Sequence, residues 1–185
     1  MSTFEEDLAL SKKAQPYQDK IYKDLFPGVK ITRFEKEDDK ILDIKFHIDV
    51  ELELSNGAKL LGQEKALRHK FSRFDTFTME FYQDKVTKER GEFFKIGAQF
   101  YLHSYWNKNE DGFEKWYMVK VFDFLEWLKE TPIELLEKQT RSSTSRANFY
   151  YIKYGEIPDY CIYKRKLLED LNAKQIPESR QGKLF

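Results

Sequence analysis

The chain has 185 residues, 41% hydrophobic and 16% aromatic, which is enough for one packed domain and too apolar for wholesale disorder. Its 32 Lys and Arg balance 32 Asp and Glu, which argues against a protein that coats nucleic acid by bulk charge, although a neutral total can hold a local basic patch. The one cysteine, Cys161, excludes an internal disulfide and zinc sites built on paired cysteines; the acidic start and the lack of any membrane-length apolar run lead us to expect a cytoplasmic protein with no membrane partner.

Thr3 and Glu6 make a capping-box pair, which predicts a helix from near Phe4. Pro16 reads as a kink or as the first residue of a second helix, along which Tyr17, Ile21 and Leu25 recur at helical spacing up to Pro27-Gly28. A strand is expected over 29–35 and a charged turn over 37–40. From 41 to 54, Leu42, Ile44, Phe46, Ile48, Val50, Leu52 and Leu54 alternate with Asp43, Lys45, His47, Asp49, Glu51 and Glu53. Strict period two predicts one long strand with one apolar and one polar face. Ser55-Asn56-Gly57 reads as a hairpin turn, with 59–67 as the returning strand. Further along, strands are predicted over 76–82 and 149–154, and a hairpin joins 100–106 to 115–121. Helices are expected over 122–130, from Thr131-Pro132-Ile133-Glu134, and over 160–171; 141–146 reads as a loop. The order predicts a single α/β domain over 1–172, with a mixed central sheet, a long hairpin in its N-terminal half and flanking helices, then a polar tail over 173–185.

The hairpin can pair in two registers. A two-residue turn sets Asp49 opposite Glu64. A three-residue loop with Gly57 left-handed sets Asp49 opposite Gln63 and matches Glu53 with Lys59 and Leu52 with Leu60. Those cross-strand pairs favour the second register. It groups Asp49, Gln63 and Lys65 on the polar face.

An Asp on one strand followed by Gln63-Glu64-Lys65 on its partner resembles the PD-(D/E)xK, or restriction-endonuclease-like, nuclease superfamily in a Q-x-K variant. Thr76-Phe77-Thr78-Met79-Glu80 and Gly91-Glu92-Phe93-Phe94-Lys95 are similar to segments of phage-encoded members, and the resemblance spans about the first 120 residues. It implies a DNA endonuclease that hydrolyses phosphodiester bonds with Mg²⁺ or Mn²⁺. Asp49, Gln63 and the Glu64 backbone carbonyl would bind the ion, since hard cations take oxygen ligands. Lys65 would act on the water or on the charge of the transition state. A carboxylate from the first helix, Glu5, Glu6 or Asp19, often completes such sites. Arg68, Lys70 and Arg73, just after the strand, are the expected nucleic-acid contacts. A homodimer would cut both strands of a duplex. The departure is Gln63, where the family usually carries Asp or Glu and some members Gln; it does not exclude activity, and it keeps open a weak or inactive nuclease-fold module that binds nucleic acid or a host protein.

Plainer readings stand beside this one. Asp49, Gln63 and Lys65 match the wet face of a half-buried strand about equally well. His47, His69 and His103 lack zinc-ligand spacing, and Cys161 reads as a small core residue. No P-loop, dinucleotide-binding or nucleophile-elbow pattern is present.

Overall fold

The computed structural model describes residues 4–34, 40–142 and 146–166. The expected charged turn lies mostly outside them, and the tail wholly so. Among the described residues no helix is long and apolar enough to cross a membrane.

Helix α1 (Phe4–Leu25) continues through Pro16 as one helix. Strand β1 (Lys30–Arg33), helix α2 (Lys40–Phe46), β2 (Val50–Glu53) and β3 (Lys59–Leu67) follow. A 3₁₀ segment (His69–Phe74) leads to β4 (Thr76–Asp84) and the short β5 (Glu89–Arg90). Then come β6 (Phe100–Trp106), β7 (Phe113–Lys120), α3 (Val121–Leu128), α4 (Ile133–Lys138), β8 (Thr140–Ser142), β9 (Asn148–Lys153) and β10 (Ile162–Lys166).

The molecule is a single α/β domain with two sheets. The larger runs β1-β2-β3-β6-β7-β10 and the smaller β5-β4-β9-β8. The larger sheet is mixed, because β3 and β6 pair in parallel while its other neighbours are antiparallel. One of its faces buries Val50, Leu52, Phe100, Leu102 and Met118 beneath Ile21 and Tyr22 of α1. The other packs Tyr101, Tyr105, Tyr117 and Val119 against Phe77, Met79, Phe81, Tyr150 and Ile152 of the smaller sheet. Phe77 is the pivot of this second core, meeting the Tyr101 and Phe124 rings edge-on at 5.2 Å each. Such pairs add about 0.5–1.5 kcal/mol beyond the area they bury.

The expected register holds: Glu53 pairs with Lys59, Leu52 with Leu60 and Val50 with Gly62. Gly57 closes the loop at φ 82°, a left-handed conformation that glycine adopts without a Cβ penalty.

Three expectations are corrected. The 41–54 segment is not one strand: residues 40–46 are helical, and only Val50–Glu53 join the ladder. His47 at φ 50° ends the helix in a left-handed turn, and Ile48 returns its N–H to the Leu42 carbonyl. Ile41, Ile44 and Phe46 lie exposed on α2, so the alternation there did not mark a buried face. Arg141 and Ser142, expected as the start of the 141–146 loop, belong to β8 (Thr140–Ser142), which pairs with β9 as an edge strand. Residues 162–166 of the expected late helix form β10 on the edge of β7, with Ile162 opposite Val119 and Arg165 opposite Tyr117. The second helix of the 121–138 region starts at Ile133 with Pro132 in the capping position and no side-chain cap.

Candidate functional site

Strand β3 carries three consecutive polar residues whose side chains alternate between two environments. Gln63 pairs with Tyr101 and Lys65 with His103, so both face the second sheet. Glu64 pairs with Leu102 and faces α1.

On the α1 side Glu64 is enclosed in charge. Arg33 donates to it twice, Nε to Oε2 at 3.1 Å and Nη2 to Oε1 at 3.0 Å. The Tyr22 hydroxyl donates to the same Oε1 at 2.8 Å, and Arg33 Nη1 also meets Asp19 at 2.7 Å. Burial raises the Glu64 pKa, against the lowering field and hydrogen bonds of Arg33. Asp19, a candidate helix carboxylate, is therefore engaged behind the sheet, away from Lys65. Glu5 and Glu6 sit in the exposed first turns of α1.

Asp49 lies one step past the last ladder pair. Its N–H donates to the Gly62 carbonyl at 2.8 Å, and its carboxylate accepts the Glu64 N–H at 2.8 Å. The carboxylate thus stands where β2 would have continued, beside the Gln63–Lys65 backbone. Its charge reaches Tyr22 on one side of the sheet and Tyr101 on the other.

On the side facing the second sheet the groups are less satisfied. Among the described residues Gln63 Oε1 is buried and has no hydrogen-bond partner. The Lys65 residue is partly exposed, but its ammonium is enclosed, 3.5 Å from Thr78 Oγ1 and 5.2 Å from the centre of the Phe149 ring. Burial lowers its pKa, and the carboxylates of Glu92 and Glu80 pull it back up. Among the described residues no carboxylate is within ion-pair distance of it.

Glu80 and Glu92, which the hairpin reading did not single out as site residues, come from β4 and from the turn after β5. Glu92 is 5% exposed; its carboxylate accepts the Glu80 N–H at 3.2 Å and faces the Tyr101 hydroxyl at 3.5 Å. Burial and the Glu92 charge raise the Glu80 pKa. Gly91 permits this approach, since a Cβ there would lie 2.6 Å from the Glu80 carbonyl oxygen. Nothing in the local spacing of the hairpin points to these two carboxylates; in the sequence they lie in the two segments that are similar to those of phage-encoded nucleases.

The basic residues after β3 lie elsewhere. Arg68 and Lys70 line a groove against α1 with Glu6, Lys13 and Glu110, and Arg68 Nη1 is 4.0 Å from Glu110. Lys70 and Arg73 lie over the rings of the neighbouring Phe71 and Phe74. The fold does not gather these three around Lys65. Cys161 is buried, as expected. His103 is buried too and shares a 2.6 Å hydrogen bond with the Tyr154 hydroxyl; burial, then the Lys65 and Lys115 charges, hold its pKa well below the usual range.

Among the described residues no set of three or more His, Cys, Asp or Glu side chains is grouped to hold a metal ion. A hydrated Mg²⁺ needs less: one or two carboxylates and a few neutral oxygens, its remaining positions being water. Asp49 with the unpartnered oxygen of Gln63 fits that donor set. Compared with protein families, curated proteins and solved structures, the chain matches none.

Proposed function

We propose that the chain is a metal-dependent DNA endonuclease of the restriction-endonuclease-like type, with the Asp49–Gln63–Lys65 group as its catalytic centre. The observation that carries this reading is the Gln63 side-chain oxygen: among the described residues it is buried without a partner, on the same strand face as an enclosed lysine and one residue from the Glu64 N–H that the Asp49 carboxylate accepts. Leaving such an oxygen unpaired costs about 1–3 kcal/mol unless something binds it. A cation is the partner that an amide oxygen and a carboxylate share.

Asp49 and Gln63, with the Glu64 backbone carbonyl, would hold Mg²⁺ or Mn²⁺, which when bound polarises the phosphate and makes an attacking water more acidic. Lys65 does the rest of the work from the chain itself. Its ammonium, drawn from water, offers a strong donor to a phosphate oxygen as negative charge builds there. Its lowered pKa also lets Nζ release a proton more readily than a solvent-exposed lysine, so that a larger share of it is neutral and able to act as a base. Tyr101, whose pKa burial and the Glu92 charge push well up, remains a donor that keeps the Glu92 carboxylate in place.

The second reading is a module of the same fold that binds without cutting. The neutral Gln63 and the absence of a carboxylate trio among the described residues favour it. One assay separates them: wild type, Lys65→Ala and Asp49→Asn on supercoiled plasmid and on single-stranded DNA, with Mg²⁺, Mn²⁺ or EDTA. Metal-dependent cleavage that both substitutions abolish supports the nuclease. A folded wild type that never cuts, or a Lys65→Ala protein that cuts as well as wild type, removes it.

A further inference from the structure

The smaller sheet has two unlike faces. Phe77, Met79, Tyr150 and Ile152 point into the core. Alternation puts Thr78, Glu80, Phe149, Tyr151 and Lys153 on the opposite face, with Thr78 paired to Tyr151, Glu80 to Phe149 and Thr76 to Lys153. Arg141 of β8 pairs with Phe149 and joins that face; its guanidinium lies 4.3 Å from the centre of the Tyr151 ring. Phe149 and Tyr151 are only partly covered, and Arg141 and Lys153 are exposed. Among the described residues neither cation has an acidic partner. Lys65 reaches this same face from β3, its ammonium over the Phe149 ring.

Two flat rings, two exposed cations and the end of the proposed catalytic lysine thus share one surface. The rings, each with a cation over one face and both only partly covered, offer stacking surface, and Arg141 and Lys153, exposed on the same face, are placed to neutralise phosphates near them. Bases inside an intact duplex have no free face to stack on such rings, whereas an unpaired strand has one at every nucleotide.

From this placement we propose that the outward face of β8–β9–β4 is a platform for a single strand of nucleic acid, with Phe149 and Tyr151 stacking its bases and Arg141 and Lys153 holding its backbone beside Lys65. It deepens the nuclease reading, because it names an unpaired strand as the substrate delivered to that site. The basic groove at Arg68 and Lys70 is then not the principal substrate surface.

Binding is measured by fluorescence anisotropy with the wild-type chain in EDTA, so that cleavage plays no part. The probes are labelled oligo(dT), oligo(rU) and a blunt duplex of equal length. Oligo(dT) or oligo(rU) binds more tightly than the duplex, and the tighter of the two identifies the sugar. Tyr151→Leu and Phe149→Leu each weaken single-strand binding by about 5- to 150-fold, while Tyr151→Phe keeps it. Arg141→Ala, at an exposed position that does not endanger the fold, lowers the slope of log affinity against log salt by about 0.7. Equal or tighter duplex binding, no single-strand binding, or affinity untouched by loss of both rings overturns the platform. Ring-dependent binding by a chain that never cuts with Mg²⁺ or Mn²⁺ keeps the platform and removes only the nuclease.

Discussion

Glu64 and its two neighbours occupy one strand and differ in everything but position. Glu64 faces α1 and is held by a two-point arginine and a tyrosine. Gln63 and Lys65 face the other way; one has a buried oxygen with no partner, the other an enclosed cation with no ion-pair partner among the described residues. Among the described residues other buried polar atoms also lack a partner, Trp106 Nε1 and Tyr150 Oη among them; what sets Gln63 apart is its place on one strand face with Lys65. Polar atoms left wanting at fixed positions on a rigid strand cost stability, and such costs collect where a ligand is to be met. Under the proposed function the Glu64 side chain serves the architecture, and Gln63 and Lys65 the chemistry.

The largest effect is expected on the architectural side. Arg33→Leu leaves the Glu64 carboxylate buried without its guanidinium and should cost about 3–5 kcal/mol in urea unfolding. A loss under 1 kcal/mol would show that the pair is solvated and that the contrast between the two faces is overstated. On the chemical side, Asp49→Asn can still accept the Glu64 N–H, so the fold persists while a charge is lost. Cleavage should fall by about 100- to 1000-fold with the unfolding midpoint nearly unchanged.

Gln63→Glu sharpens the comparison in the opposite direction. A second anionic oxygen should lower the Mg²⁺ concentration for half-maximal cleavage by about tenfold. An unchanged metal dependence would mean that position 63 does not touch the ion. The smallest effect concerns His103, whose folded pKa burial depresses. As pH falls below about 6.5 the unfolded chain takes up a proton there and the folded chain does not, so stability declines by up to about 1.4 kcal/mol per pH unit. His103→Phe should flatten that limb between pH 6.5 and 5 in pH-dependent thermal melts, whatever it does to the midpoint at neutral pH.

The hairpin was legible because its signals were local. Gly57 could adopt the left-handed turn, and Glu53 with Lys59 and Leu52 with Leu60 made sense in only one register. Gln63 and Lys65 share a face by alternation alone, and the register set which face that is. Helix α2 was not legible, because Leu42, Ile44 and Phe46 alternate as in a strand although Ile44 and Phe46 are exposed. The late strand β10 was read as helix, since pairing with the β7 edge depends on a neighbour more than 40 residues away, Val119 opposite Ile162. The outward face of the smaller sheet had the same difficulty. Arg141 reads as loop until β8 pairs it with Phe149, and Lys65 meets that face only after β4 folds back. The charges of Glu80 and Glu92 act on Lys65, from beyond ion-pair distance, through the same long-range packing.

The central claim, that the Lys65 side of β3 is kept for chemistry at a cost in stability, is tested most directly by Lys65→Met. Metal-dependent cleavage and the unfolding midpoint are measured on the same preparation at pH 7. Burial disfavours the charged lysine in the folded state, a cost present at pH 7 that fades only as pH rises through the window between its lowered folded pKa and its unfolded value. The account predicts that cleavage disappears while stability holds or rises by about 1 kcal/mol, a few degrees in midpoint. Retained cleavage together with a large loss of stability would contradict it, and would make Lys65 a structural residue like Glu64.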